Sequence, residues 1–301
     1  MPDIIRVQHL SKSFKDLTAV NDLSFSVPQG CVYGFLGQNG AGKSTTIRML
    51  LTLIEPSSGD IEIFGLSLQR HRQQILKNTG AVIEKPDLYK YLSALDNIRL
   101  FAKLGGVHPS RMQLMEKLDK VGLAARAGSK VKTFSQGMKQ RLGIAIALVH
   151  DPELVILDEP VNGLDPQGIA DIRKLIIHLS KEEKKTVFVS SHLLAEMEMV
   201  ADHMLIIDKG KKIVEGPVKS LLNPDKMVIE LETKDINAVT QLIQGSSWGD
   251  YYKKQEEGKI LLEFGTHAVP AFNTFLVQQQ VQVLSLRPRH SLEDYFLSLT
   301  T

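Results

Sequence analysis

The stretch Gly37-Gln38-Asn39-Gly40-Ala41-Gly42-Lys43-Ser44 decides how this chain folds. It fits the pattern G-x-x-x-x-G-K-[ST], whose glycines let the backbone curl until successive N–H groups point at phosphate oxygens. A continuous apolar run at residues 32–36 precedes it and predicts a buried strand. A helical pattern through Ile47, Met49 and Leu50 follows it. A glycine loop at a helix N-terminus attracts anions, so the sequence predicts a phosphate site here.

Individual positions of this loop have specific predicted roles. Lys43 would reach the β- and γ-phosphates of a nucleotide, and the Ser44 hydroxyl would bind Mg²⁺. The loop residues predicted to contact the nucleotide are Gly37, Gln38, Asn39, Gly40, Ala41, Gly42, Lys43, Ser44 and Thr45. A chance glycine loop is the alternative, and the position between a strand and a helix argues against it.

A second apolar run, at residues 154–157, ends in the two acids Asp158 and Glu159. The carboxyl ends of parallel strands are where such sheets place ligands. Successive side chains on a strand point in different directions, so the two acids need not share a role. Asp158 is suited to bind Mg²⁺ through water, and Glu159 to orient and polarise an attacking water. Alone, the pair could equally be strand-end acids that face solvent.

Composition limits the class of protein. The 301 residues are 43% hydrophobic and 23% charged, with a net charge of +2. This mix is typical of a globular protein and allows one large and one small domain. The balanced charge lacks the basic field that phosphate-backbone binding requires, so we expect no nucleic-acid partner. The single cysteine, Cys31, lies in an apolar stretch, which predicts a small buried hydrophobe and fits a reducing cytosol.

The hydropathy pattern does not predict a membrane span. No apolar run approaches the ~20 residues that a helix needs to cross a bilayer. The N-terminus lacks the basic start and apolar core of a secretion signal. Any work at a membrane would therefore depend on a partner chain.

Residues 1–222 show an α/β pattern, with continuous apolar runs at 32–36, 154–157 and 186–189. Such runs are typical of strands buried on both faces of a parallel sheet. Residues 88–150 are mostly helical and predict a helical insertion. Its three helices would begin at Ser93, which forms a capping signal with Asp96, at Pro109-Ser110 and near Ser135.

Residues 226–301 predict a second, smaller α+β domain after a linker at 223–225. The pattern is strand 227–232, helix 236–243, strand near 248–253, strand 259–264, helix 269–277 and strand 281–286. This order is the β-α-β-β-α-β of a ferredoxin-like unit. A short closing helix at 291–299, capped by Ser291, would follow.

Several further motifs occur in a fixed order around the acidic strand. Phe134-Ser135-Gln136-Gly137-Met138-Lys139-Gln140-Arg141 resembles the signature segment of ATP-binding cassette (ABC) ATPases, with Gln136 and Met138 in place of glycine and glutamine. Gly163-Leu164-Asp165 resembles the family's D-loop, His192 its switch histidine, and Phe14 the aromatic residue that stacks on adenine. Each alone could be a cap, a turn, a surface histidine or a core residue. Together they resemble the ABC family over about residues 3–220.

The resemblance implies an ABC-type P-loop NTPase fold, a mixed sheet with a helical insertion, that binds and hydrolyses ATP with Mg²⁺. It implies a homodimer in which each ATP lies between one chain's phosphate loop and the partner's signature residues Ser135, Gln136 and Gly137. His192 would contact the γ-phosphate, and Asp165 would link the two sites. The expected catalytic residues are Lys43, Glu159 and His192.

One position departs from the usual pattern. The family's Q-loop places a glutamine near the metal, and here Glu84 occupies that position in Ile83-Glu84-Lys85-Pro86. A carboxylate can still bind Mg²⁺ or accept from water, so the expected metal-binding set is Ser44, Asp158 and Glu84. We expect Glu84→Gln to retain activity with an altered Mg²⁺ dependence.

The segment around Glu84 and the ending Ser291-Leu292-Glu293-Asp294-Tyr295-Phe296 resemble the ATPases of bacitracin- and daunorubicin-resistance exporters. The resemblance implies a separate membrane permease, and a cytoplasmic protein held at the cytoplasmic face of the membrane through that permease only. The small domain would be a structural or dimer-supporting addition, or alternatively a substrate sensor. A non-transport ABC ATPase acting on ribosomes or in DNA repair is the rival hypothesis, and a kinase-like phosphate-binding enzyme is a third.

Overall fold

The structure is a computed structural model that describes residues 2–15, 17–221, 227–256 and 258–289. The chain divides into two units, the first ending at Val218 and the second beginning at Lys219. The strands of the first unit are β1 (Asp3–Phe14), β2 (Leu17–Pro28), β3 (Val32–Leu36), β4 (Ser58–Ile63), β5 (Leu66–Ser67), β6 (Thr79–Val82), β7 (Leu154–Asp158), β8 (Thr186–Ser191), β9 (His203–Asp208) and β10 (Lys211–Pro217). Its helices are α1 (Lys43–Leu50), α2 (Arg72–Lys77), α3 (Ala94–Leu104), α4 (Arg111–Lys120), α5 (Gln136–Ala147), α6 (Pro166–Lys181) and α7 (Leu194–Glu198), and α8 (Val218–Leu221) follows at the boundary between the units.

A six-stranded sheet with the order β10-β9-β3-β8-β7-β6 positions the site. All strands run parallel except the edge strand β10, which pairs antiparallel with β9. Every residue of β3, β7 and β8 is buried, which confirms the three strands predicted from apolar runs. Because these three strands are parallel neighbours, the segments that follow them meet at one edge of the sheet.

An antiparallel sheet with the order β2-β1-β4-β5 forms a second layer that was not predicted from the sequence. The aromatic rings of Phe25, Tyr33, Phe35 and Phe188 pack in one core cluster between 5.4 and 6.3 Å apart. Phe25 belongs to β2, whereas the other three belong to β3 and β8. This aromatic group therefore joins the two sheets into one core.

Each of the three helices predicted for the insertion begins at the expected serine. The Ser93 hydroxyl accepts from the Asp96 N–H at the start of α3. At α4, Ser110 and Gln113 form a reciprocal capping box. Ser135 caps α5 by accepting from the Met138 N–H. These side chains satisfy N–H groups that have no partner within the helix, so the three predicted helix starts are confirmed.

The second unit contains β11 (Met227–Thr233), α9 (Ile236–Gln244), β12 (Tyr252–Glu256), β13 (Lys259–Phe264), α10 (Val269–Gln278) and β14 (Val283–Arg289). Its antiparallel sheet has the order β12-β13-β11-β14, so the predicted ferredoxin-like topology is confirmed.

Two strands of this unit begin later than predicted: β14 starts at Val283 instead of residue 281, and β12 differs more. The strand expected near 248–253 starts at Tyr252, because a short 3₁₀ turn at Gly249–Tyr251 precedes it. Trp248 instead packs against Phe272 and Phe264, at ring-centroid distances of 4.9 and 5.3 Å. The predicted linker at 223–225 and the predicted helix at 291–299 lie outside the described residues.

Candidate nucleotide-binding site

The glycine loop lies between the end of β3 and the start of α1, as the sequence predicts. Gly42 has a φ of 106°, and a Cβ at this position would lie 2.5 Å from the Ala19 carbonyl oxygen. A Cβ on Gly37 would lie 2.6 Å from the Ile207 carbonyl oxygen. The loop backbone is thus held between β2 and β9 at positions that admit only glycine.

Lys43 is buried and directed across the loop that precedes it. Its Nζ donates to the carbonyl oxygens of Gly37 at 2.6 Å and Gln38 at 3.2 Å. The same Nζ lies 3.2 Å from Glu159 Oε1 in an ion pair. The lysine charge is therefore placed between the phosphate loop and the acidic end of β7.

Asp158 ends β7 with its side chain fully buried. Its Oδ1 accepts a hydrogen bond from the Ser190 hydroxyl at 2.5 Å, whereas its Oδ2 has no hydrogen-bond partner. A buried carboxylate oxygen without a partner is costly unless something binds to it. A hydrated Mg²⁺ supplies the donors that this oxygen lacks, so the residues present fit the predicted ion.

Glu159 links the other two predicted catalytic residues. Its Oε2 accepts from His192 Nδ1 at 2.7 Å, and its Oε1 faces Lys43. The backbone of Glu159 is left-handed, with a φ of 48°, which is uncommon for a residue with a Cβ. Three residues from distant parts of the chain, Lys43, Glu159 and His192, are thus brought into one row of contacts.

Ser190 is a site residue that sequence reasoning missed. Its hydroxyl donates to Asp158 and accepts from the backbone N–H of Glu159 at 2.9 Å. It therefore fixes both Asp158 and the turn that follows it. The available signal was a small hydroxyl residue at the end of an apolar strand, which by itself is weak evidence.

Phe14 lies at the end of β1 with its ring partly exposed, as an adenine-stacking residue requires. The ammonium of Lys12 lies 5.0 Å from the ring centroid, in a cation–π contact that was not predicted. One face of an exposed aromatic ring beside a cation is suited to a nucleotide base.

The signature and D-loop residues lie at helix starts. Ser135 caps α5, in which Gln136 and Gly137 form the first turn, and Asp165 caps α6 by accepting from the Gly168 N–H at 3.2 Å. Among the described residues, no hydrogen bond or ion pair joins them to the phosphate loop of the same chain.

Glu84 lies in an exposed turn after β6, with a left-handed φ of 54°. Its Oε1 lies 2.5 Å from Arg48 Nη2. The structure thus pairs this carboxylate with an arginine on α1, a partner that sequence reasoning missed. The assignment of Glu84 to the metal stays a prediction.

A strand, glycine loop and helix beside an acidic strand end define a P-loop nucleoside triphosphatase. Residues 20–162 match the family described as ABC transporter. The chain is 42% identical to the bacitracin transport ATP-binding protein BcrA of Bacillus licheniformis, over 99% of this chain and 98% of that protein. It is 44% identical to the lantibiotic transport ATP-binding protein SrtF of Streptococcus pyogenes, over 70% of this chain and 90% of that protein.

A solved structure titled ATP binding subunit of ABC transporter is 31% identical and superposes with a TM-score of 0.64, covering 72% of this chain and 91% of that one. The chain belongs to the ABC transporter family as an ATP-binding subunit. It binds ATP, and its ATP hydrolysis is coupled to transport. These relatives are transport proteins and do not favour the ribosomal or DNA-repair alternative. In the part of the chain that the structure describes, no helix is long and apolar enough to span a membrane.

Proposed function

We propose that this chain is the ATPase of a bacterial exporter, and that it works as a homodimer on the cytoplasmic face of a separate permease. The observation that carries the catalytic part is the contact row Lys43–Glu159–His192 beside the unpartnered Oδ2 of Asp158. Each of these groups has the chemistry that phosphoryl transfer to water requires.

Binding would engage the loop and the aromatic ring together. Adenine stacks on Phe14, and the N–H groups of the glycine loop, reinforced by the start of α1, hold the phosphates. Lys43 exchanges its loop carbonyl oxygens for phosphate oxygens, which moves its charge away from Glu159. Ser44 and Asp158 would hold Mg²⁺, which would neutralise phosphate charge when bound.

Release of Glu159 from Lys43 prepares it for catalysis. Its Oε1 becomes free to accept a proton from the attacking water, while His192 fixes the other carboxylate oxygen. His192 would also donate to the γ-phosphate. Ser190 keeps Asp158 and the Glu159 backbone in a fixed relation throughout.

A second copy of the chain would complete each site. Ser135, Gln136 and Gly137 begin a capped helix, whose first-turn N–H groups can bind a γ-phosphate. They make no hydrogen bond to their own phosphate loop among the described residues, which supports their use in trans. Closure would exclude water and place Asp165 between the two sites.

The permease contact is proposed at the segment that follows Glu84. Tyr89, Tyr91 and Leu92 are exposed there, just before α3. Exposed aromatic and aliphatic side chains on one segment are suited to cytoplasmic helices of a membrane partner. The relatives named for bacitracin and lantibiotic transport support a peptide antibiotic as cargo.

The second unit is proposed to be an accessory domain that supports the dimer. The lantibiotic transport protein aligns over 212 residues that make up 90% of its length, which leaves too little chain for this unit. This relative is thus named for transport although it is too short to contain a unit like the second one. A substrate-sensing role has no specific observation in its favour.

The test of the catalytic proposal is Glu159→Gln. The amide cannot accept the proton of water, so ATP hydrolysis should fall by about 10²–10⁴ while ATP binding persists. ATP should then convert the variant from monomer to dimer in light-scattering chromatography. Undiminished turnover would remove Glu159 from its role.

A matched control is Glu183→Gln, whose side chain is 17% exposed against 16% for Glu159 and pairs with Lys120 instead of Lys43. It should hydrolyse ATP like the wild type. An equal loss of hydrolysis in both variants would attribute the effect to general destabilisation instead of catalysis.

A further inference from the structure

The Glu84 carboxylate is held by one specific cation. Its Oε1 lies 2.5 Å from Arg48 Nη2, with 62% of the Glu84 side chain and 43% of the Arg48 side chain exposed. The residue sits in a left-handed backbone conformation that a β-carbon disfavours, with a φ of 54°. Backbone strain of this kind persists only where the surroundings maintain it.

Arg48 and the expected metal ligand Ser44 lie on the same helix. They are four residues apart in α1, so they share a face and lie about one turn, roughly 5.4 Å, from each other along the axis. The arginine that pairs with Glu84 thus lies on the same helix face as Ser44, one turn further along α1.

We propose that Arg48 is a positioning residue that competes with Mg²⁺ for the Glu84 carboxylate and so sets how strongly the metal strengthens nucleotide binding. This inference rests on the proposed Mg²⁺ site of Ser44 and Asp158. While Glu84 is paired with Arg48, its negative charge is balanced by the guanidinium and not by the metal. Without Arg48, the carboxylate adds an anionic oxygen to the surroundings of Ser44, which favours a divalent cation.

The strength of the pair suits such competition. Exposed ion pairs contribute little, because solvent screens them and two long side chains must be ordered. A doubly charged ion can therefore displace the arginine without a large cost. The effect of removing Arg48 should be about two- to fivefold, the range that exposed ion pairs produce.

The experiment measures nucleotide affinity in the full chain, and not turnover. The dissociation constant of a fluorescent ATP analogue is measured with EDTA and with excess Mg²⁺. The constant with EDTA divided by the constant with Mg²⁺ gives the factor by which the metal strengthens binding. The variants that lack the Glu84 carboxylate control for any direct attraction between Arg48 and the phosphates. The variants are Arg48→Gln, Glu84→Gln and the double variant.

Arg48→Gln should raise this ratio about two- to fivefold, and Glu84→Gln should lower it. The double variant should equal Glu84→Gln, because Arg48 acts only through the carboxylate. Arg48→Lys, which keeps the charge, should stay near the wild type. The matched control is Arg99→Gln on α3, whose side chain is also 43% exposed and pairs with Asp96; it should leave the ratio unchanged.

Two results would overturn the inference in distinguishable ways. If Mg²⁺ strengthens binding in the wild type but Arg48→Gln leaves the ratio unchanged, or changes it equally when residue 84 is Gln, the pair is an ordinary surface contact. If Mg²⁺ has no effect on the wild type, the proposed metal site itself fails. Thermal melting confirms that each variant is folded before the comparison.

Discussion

The two edges of the six-stranded sheet carry similar residue types in opposite circumstances. At the carboxyl ends of the strands, Lys43, Glu159 and His192 lie in contact, and the buried atoms Asp158 Oδ2 and Glu159 Oε1 have no hydrogen-bond partner. At the amino ends, Asp151 Oδ1 accepts hydrogen bonds from the Nζ atoms of Lys185 at 3.0 Å and Lys117 at 3.3 Å.

The amino-end group is closed on itself. Lys185 also donates to the Pro152 carbonyl oxygen at 2.9 Å, and His150 Nε2 lies 3.2 Å from the Thr79 carbonyl oxygen. Both edges contain an acid with a left-handed backbone, since φ is 56° at Asp151 and 48° at Glu159. Residue type and backbone strain are therefore shared by the two groups, whereas the carboxyl-end group also contains buried oxygens without a hydrogen-bond partner.

The largest expected contrast comes from the two buried lysines. Lys43→Met removes the cation that would hold the phosphates, so ATP hydrolysis should fall at least about 100-fold. Lys185→Met leaves the Pro152 carbonyl oxygen without this donor and removes the closer of the two lysines at Asp151, so the free energy of unfolding should fall by about 1–3 kcal/mol. Steady-state hydrolysis and urea denaturation of both variants measure the two effects.

The two variants should therefore differ in phenotype, with the main loss in hydrolysis for Lys43→Met and in stability for Lys185→Met. If the folded Lys185→Met protein lost hydrolysis, the amino-end edge would belong to the functional site. If Lys43→Met lost mainly stability, the contact row at the carboxyl ends would be structural.

Cys31 is a buried free cysteine at the amino ends of the strands. The residue directly precedes β3, and its thiol donates to the Pro28 carbonyl oxygen. Burial, with the nearby charge of Asp202, raises the pKa of Cys31 to about 12, against an ordinary 9.0. The thiolate fraction at pH 8 should then be about a thousandfold lower than for a free thiol. Only the thiolate reacts with a thiol reagent. Labelling of the native chain by a thiol reagent should be slower by at least that factor, and urea should restore it. Fast labelling of folded protein would contradict the burial.

A smaller effect is expected from Ser190 at the site edge. Ser190→Ala removes the donor to Asp158 and the acceptor for the Glu159 N–H, so hydrolysis should fall about tenfold through misplaced acids. Ser180→Ala is the control, because its hydroxyl is also buried but donates to the Gly30 carbonyl oxygen. It should change stability slightly and leave the hydrolysis rate unaltered. Equal rates for the two variants would show that Ser190 has no role in positioning the acids.

The sequence predicted those parts of the molecule that depend on local pattern. The buried strands β3, β7 and β8, the serine caps and the ferredoxin-like order follow from apolar runs and capping residues, which act over a few positions. The pairing of β1, β2 and β4 depends on contacts between distant segments and was missed. For the same reason Ser190, Arg48 and the late start of β12 at Tyr252 could not be read from spacing alone, since each depends on a side chain from another element.

The smallest expected effect concerns pH and the amino-end histidine. Burial lowers the pKa of His150 below its ordinary 6.5. As pH falls below 6.5, the unfolded chain therefore takes up a proton that native His150 does not, and stability should decline. His150→Gln should make this slope shallower in urea denaturation between about pH 6.5 and 5, and His108→Gln, in an exposed loop, is the control.

Asp151 titrates below this pH range. Burial raises its pKa, but Lys185 and Lys117 outweigh that and hold the pKa below the ordinary 3.8. Its contribution to stability is present above 3.8 and is lost only as pH falls further. An unchanged slope in His150→Gln would mean that the native and unfolded chains protonate this histidine alike, contrary to the effect of its burial.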